Sequence, residues 1–485
     1  MQSPPGPGLA TLPASPCSRC HPMPKPTESS FSATLSRRQL LAAPLLAGLP
    51  AWARPGPAHH EERMNRALQA LLDHPARPLA SLSVLVLRAG RVVYEGQFGR
   101  RWIAPAGSQG QDLPVTRDTL FRMASVSKLV VALGVMRLVE AGRLDLDADI
   151  SEALGWRLRH PAHPEQALSV RLLLSHRSGL RDAGGAYLEA GQTIASKLLP
   201  GGAHYGRGES WSPAAEAPGR FFAYCNLNYG VLASVMERLS GQRFDLFMRE
   251  QVLAPLGMRG GFEASSFGPD ELANLATLYR KRATDDDAPW NRTGPWVVQT
   301  DDFRGERPRP PAALAGYELG SNGSLFGPQG RLRTRVADLG TVLTMLAAGG
   351  RHAGRAFLQP RSVQALFSEQ WRFDAAAANG DWLDGLFQAW GLGVEHFIDR
   401  SQAGPDGVVR GDRLVARGGV QAWGHLGFAY GLHSGLLLEP RSRSGIVYAI
   451  GGTGDAPEQH RGRYSSFPAW EEELQDLLWG LALGA

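Results

Sequence analysis

Lysine is almost missing from this chain of 485 residues. Lysine and arginine together number 51, yet only Lys25, Lys128, Lys197 and Lys281 are lysines. Arginine holds its proton under all conditions met in a protein, whereas a desolvated lysine can lose one near neutral pH. A chain that writes arginine wherever a positive charge suffices therefore sets apart each position that keeps an amine. Cysteine is scarce too, confined to Cys17, Cys20 and Cys225. The first two fall in a segment expected to be removed, so the mature chain keeps Cys225 alone and can form no internal disulfide. Cys17-Ser18-Arg19-Cys20 lacks a second pair of ligands, which argues against a zinc site; neither a metal nor a cofactor is expected. Long apolar runs are absent: Leu40–Leu49 is interrupted by Pro44 and is too short to span a bilayer. Excess charge is small as well. Of the formal net +5, residues 1–53 carry Arg19, Lys25, Arg37 and Arg38 against Glu28, a net +3, leaving +2 for the remainder. Nothing in that balance calls for a nucleic-acid partner.

What is there begins with "LSRRQLLAAPLLAGLPAWARPG". The arginine pair Arg37-Arg38, a short apolar run, and Ala51-Trp52-Ala53 at cleavage spacing read as a twin-arginine export signal cut near Ala53, and hence as a periplasmic protein. The Pro/Ser-rich stretch Met1–Pro22 is long for such a signal and leaves Met23 as an alternative start to Met1.

The chain as a whole has 43% hydrophobic and 20% charged residues, the balance of a globular protein, and from residue 54 to 485 it reads as one domain. Two alternating runs, Ser81–Leu87 and Arg91–Phe98, meet at Ala89-Gly90 and predict a hairpin. Leu129, Leu133, Met136 and Val139 recur at helical spacing until Gly142, and a second helix is expected over Tyr229–Leu239. Thr284–Pro311 is polar and reads as an irregular insertion able to overhang a cleft. Two strand-like runs, Tyr430–Leu438 and Gly445–Gly451, flank the turn-rich "EPRSRS". A last helix carries Trp470, Leu474, Leu477 and Leu481 on one stripe. Strands at both ends with helices between them predict an α/β (α+β) fold. In it one antiparallel sheet, built from about 79–120 and 330–485, is flanked by helices, and a helical lobe spans about 126–325.

Lys128 follows Ser125 by three positions. On a helix the two share a face, so the amine can reach the hydroxyl as its activator; the alternative is a surface lysine that happens to follow a serine. Two further segments bear on the choice, Tyr224-Cys225-Asn226 and His425-Leu426-Gly427. Alone, Tyr224 could be a core tyrosine and Asn226 a helix cap. Taken in order, the three motifs resemble those of the penicillin-recognising serine hydrolases, in the branch that holds class C β-lactamases, D-alanyl-D-alanine carboxypeptidases and related esterases. "LDLDADIS", "LLLSHRSGL" and "LAPLGM" are similar to that family's linking segments.

The resemblance implies a sheet with a helical lobe and a cleft between them. Ser125 would be the nucleophile, with Lys128 and Tyr224 sharing its proton and Asn226 contacting the substrate. His425 and Gly427 would lie in the third motif, and the amides of Ser125 and Phe428 would form an oxyanion hole. The reaction implied is acyl transfer to water from a small acyl substrate or a peptidoglycan-like peptide. D-alanyl-D-alanine carboxypeptidase, weak β-lactamase and a catalytically silent binder of cell-wall fragments are the alternatives. Relatives that handle β-lactams usually carry a threonine where this chain has Leu426. His425, taken near its ordinary pKa, would be a weaker counter-charge than lysine. Both features favour neutral esters or amides over anionic substrates. Cys225 has no evident partner base. His176, in "SHRSG", reads as a structural hydrogen-bonder. His425 and His433, if eight residues apart on one strand, would stand about 26 Å from each other and could not share a metal ion.

Overall fold

Alternation of side chains along the hairpin sets the architecture. The computed structural model describes residues 57–283, 289–304, 306–312 and 314–484; the expected export signal lies outside them. Strands β1 (Ser81–Arg88) and β2 (Arg91–Trp102) form the predicted hairpin. Seven more strands extend the sheet: β3 (Leu113–Pro114), β4 (Trp371–Arg372), β5 (Ala389–Trp390), β6 (Glu395–Phe397), β7 (Ala422–Ala429), β8 (Leu432–Glu439) and β9 (Ser444–Ile450). Their order is β4-β5-β6-β7-β8-β9-β1-β2-β3, with antiparallel neighbours throughout. Both ends of the chain thus build the sheet, with Leu82 on β1 opposite Ile450 on β9.

Period-2 alternation divides the apolar residues between two faces. Val84, Val86, Leu437, Ile446 and Tyr448 meet Trp470, Leu474 and Trp479 of the last helix. Leu85, Leu87, Leu436 and Val447 meet Leu339, Val342 and Leu343 on the opposite face. The longer helices are α1 (Pro57–Leu72), α2 (Val126–Glu140), α3 (Leu227–Ser240), α4 (Val336–Ala347) and α5 (Ala469–Leu483). Helix α2 is buried nearly all round rather than along one stripe, because the sheet flanks one side and α3 with its neighbours the other.

Three readings change. Part of the segment read as irregular is ordered: Trp296–Thr300 is a strand paired with Leu278–Lys281. A run of three apolar residues after Pro295 is too short to show a period. The same segment carries Asp301, which holds the guanidiniums of both Arg122 (2.8 and 2.9 Å) and Arg333 (2.6 and 3.1 Å). It is thereby tied to the short strand Leu120–Arg122, three residues before Ser125. Finally, His425 and His433 do not share a strand. Tyr430 and Gly431, both at positive φ, turn the chain between β7 and β8, so the single run expected over Tyr430–Leu438 starts at Leu432.

Candidate active site

The turn that carries Ser125 is held in an uncommon conformation. Ala124 sits at φ +42, a left-handed value that a non-glycine residue adopts only under constraint. The constraint comes from the sheet. Ser434 on β8 donates its hydroxyl to the Met123 carbonyl at 2.9 Å, and a Cβ at Gly427 on β7 would come within 2.6 Å of that same carbonyl oxygen. The glycine of the third motif is therefore needed for β7 to approach the serine turn this closely.

Ser125 immediately precedes α2 and is partly exposed, while Lys128, one turn on, is wholly buried. The Lys128 Nζ lies 2.8 Å from Ser125 Oγ, 2.8 Å from Asn226 Oδ1 and 2.9 Å from the Gln329 carbonyl oxygen. Burial pushes the amine down to about 7, against the pull of the Asp182 carboxylate. Three acceptors for three N–H donors satisfy the charged amine. When it is neutral, two N–H groups can stay on Asn226 and Gln329 while the lone pair faces the serine hydroxyl.

Tyr224 donates its hydroxyl to Ser125 Oγ at 2.8 Å from the other side. Its ring is stacked between His176 (centroids 4.5 Å apart) and Phe387 (5.3 Å), and an aromatic wall of Phe222, Trp371 and Trp390 backs it. Burial raises the phenol's pKa, so it stays protonated. His176 is itself fully buried and held neutral by that burial; its Nδ1 accepts the Cys225 amide at 3.0 Å. Its contact with Tyr224 is ring stacking, and none with Ser125 is seen.

Asn226 stands at the cap position of α3 without capping it. Its side chain instead bridges Lys128 and Asp182, with Nδ2 donating to Asp182 Oδ2 at 2.8 Å. Cys225 is fully buried, its thiol pushed up by burial and then by Asp182.

His425 is buried, its ring 6.2 Å from that of Tyr224 and 5.5 Å from that of Trp390. Its Nδ1 lies 2.6 Å from the Leu426 carbonyl oxygen and can only donate there. Burial, then the nearby Lys128, pushes the ring down to about 3. The expectation of an imidazole near its ordinary pKa is thus corrected: His425 is neutral across the physiological range. Leu426, which has no hydroxyl to donate, is partly buried and packs against the apolar cluster under α5. The ring of Phe428 is half exposed and lies 4.8 Å from that of His433, whose Nδ1 meets Glu471 of α5.

Sequence reasoning missed Asp182 and Gln329. Gln329 contributes a carbonyl, for which no side-chain signal exists. Asp182 lies two residues beyond "SHRSGL", far in sequence from the motif it contacts. Among the described residues no group of three or more His, Cys, Asp or Glu side chains is placed to hold a metal ion, and no helix is long and apolar enough to cross a membrane.

Residues 64–467 match a family model described as Beta-lactamase. Among curated proteins the chain is similar to esterase EstB of Burkholderia gladioli, 33% identical over 40% of this chain and 50% of that protein. It is also similar to penicillin-binding protein 4 of Amycolatopsis lactamdurans, 31% identical over 41% of this chain and 48% of that one. The chain thus spans about half the length of these relatives. Among solved structures it resembles the octameric penicillin-binding protein homologue from Pyrococcus abyssi at a TM-score of 0.57 and 19% identity, over 87% of this chain and 77% of that one.

Proposed function

The chain belongs to the Beta-lactamase family, and on that premise we propose that it is a serine hydrolase that forms an acyl-enzyme on Ser125 and passes the acyl group to water. The observation that carries the reading is the pair of 2.8 Å contacts at Ser125 Oγ, one from a lysine amine pushed down to about 7 and one from a tyrosine held neutral. The neutral Lys128 takes the Ser125 proton as Oγ attacks the substrate carbonyl carbon. The amides of Ser125 and Phe428 receive the oxyanion. Tyr224, a neutral phenol, donates to the leaving group and is reprotonated from Lys128, which restores the base for the attack of water.

The substrate class we favour is a small neutral ester or amide. Carboxypeptidase substrates and β-lactams carry a carboxylate. A neutral His425 offers no counter-charge for one, and an imidazole lone pair near it would repel it. The setting we propose is the periplasm, on the strength of the Arg37-Arg38 signal. Intact-mass measurement after mixing with a fluorophosphonate tests the reaction class. One adduct per chain is expected, lost in Ser125→Ala; no adduct on the native chain would point to a silent binding protein.

A further inference from the structure

Asp182 receives more hydrogen bonds from the second motif than any residue of that motif gives to the serine. Its Oδ2 accepts the Asn226 amide N–H and the Asn226 side-chain Nδ2, each at 2.8 Å. Its Oδ1 accepts the Leu227 amide at 3.0 Å and the Cys225 thiol at 3.3 Å. The free amides at the start of α3, which Asn226 leaves uncapped, are therefore taken by a carboxylate brought in from another segment. That segment is anchored in turn. Gly185 donates to the Asp182 carbonyl at 2.8 Å, and Lys197, one of the few lysines, donates to the Gly184 carbonyl.

From this geometry we propose that Asp182 is a positioning residue of the serine site: it fixes the Asn226 amide so that Oδ1 faces Lys128, and it supplies the negative charge that faces the amine through Asn226. The proposal rests on the serine-hydrolase reading of the site. The amide logic is one of donors and acceptors. Turned over, Asn226 would aim its NH2 at the Lys128 amine and its oxygen at the Asp182 carboxylate, two repulsions in place of two hydrogen bonds. Asp182 thus selects the orientation without touching Ser125 or, by this reading, the substrate. The other titratable groups around Lys128 are Tyr224 and Tyr229, whose rings lie 4.9 and 5.4 Å from Nζ, together with Cys225, His176 and His425. Burial holds each of these neutral, so removal of the Asp182 charge is not masked by a second anion at the amine.

The test uses lysine isotopically labelled at Cε, whose few resonances in this lysine-poor chain make Lys128 assignable by its loss in Lys128→Arg. Asp182→Asn should lower the NMR titration midpoint of Lys128 by at least about half a unit. The acid limb of kcat/KM should move by the same amount, and kcat should fall about tenfold or more. Should that variant fail to fold, Asp182→Glu reads the link from the other side. With the charge kept and the carboxylate displaced, the midpoint should stay within about 0.3 unit of the native one while kcat falls. A midpoint and a kcat per folded molecule that are native in whichever variant folds would overturn the proposal and leave Asp182 as a tie between loop and helix. Failure of the hydrolase reading is told apart by the fluorophosphonate: no adduct on the native chain refutes that reading, whereas the NMR midpoint reports on Asp182 whether or not the enzyme turns over.

Discussion

The acid limb of the pH–rate profile follows from the burial of one amine. Lys128 is wholly buried, which pushes its amine down to about 7, and the proposed reaction requires its neutral form in the free enzyme. The neutral fraction is then roughly 90% at pH 8, about 10% at pH 6 and about 1% at pH 5. kcat/KM for p-nitrophenyl butyrate should therefore fall about tenfold per pH unit below about 6, with slope one, because His425 at about 3 and the neutral His176 add no second proton in that range. Lys128→Arg should abolish the limb together with nearly all turnover, at least about a thousandfold or some 4 kcal/mol of barrier. Linkage gives an independent reading. A folded pKa near 7 against 10.5 unfolded means that the unfolded chain binds more protons between those values. The lysine's destabilisation is therefore full below pH 7 and is relieved as pH rises towards 10.5, by roughly 5 kcal/mol in all. The stability of the native enzyme should accordingly gain on that of Lys128→Met across that window in urea denaturation. A kcat/KM profile flat from pH 5 to 8, or a limb centred near 4, would refute Lys128 as the base.

Neutral esters should be preferred, so p-nitrophenyl butyrate should be cleaved with a higher kcat/KM than a chromogenic cephalosporin; a tenfold preference for the cephalosporin would instead support β-lactam hydrolysis. Replacing His425 by lysine should narrow that gap by restoring a cation, provided the variant folds as judged by circular dichroism. Asp301→Ala leaves Arg122 and Arg333 buried without their shared carboxylate and should cost about 3–5 kcal/mol in denaturant titration; a loss under about 1 kcal/mol would show that the two guanidiniums find other partners. Replacing Arg37 and Arg38 by lysine should leave the unprocessed chain in the cytoplasm, and unchanged periplasmic yield on fractionation would assign export to another route.

How much of this was legible in the sequence depended on the range of the interaction. Ser125 and Lys128 share a helical turn, and their relation could be read from spacing alone. Tyr224, Asn226 and His425 could be aligned as motifs, but only the fold brings them to within hydrogen-bond or ring-contact distance of the same few atoms. Asp182 carried no signal because its partners, two backbone amides, the Asn226 side-chain amide and the Cys225 thiol, lie across a tertiary contact. The protonation of His425 was misjudged for a related reason: burial under Trp390 and beside Lys128 cannot be seen in a tripeptide. Elements long enough to show a period, β1, β2, α2 and α5, emerged near their expected bounds. Strands of two residues such as β4 and β5 have no period to read.

The pairing of β1 with β9 has a consequence for how the chain is made. Strand β1 lies inside the sheet, and β9, which covers one of its edges, is made only once synthesis has passed Ser444. Until then Ser81–Arg88, buried along almost its whole length in the finished fold, has a bare apolar edge open to pairing with any other strand. Closing so long a loop adds little to the equilibrium cost but slows folding. The sheet therefore stays open at its centre until Ser444–Ile450 has been made, and a chain cut short before residue 444 is left with an adhesive half-sheet and no means of sealing it.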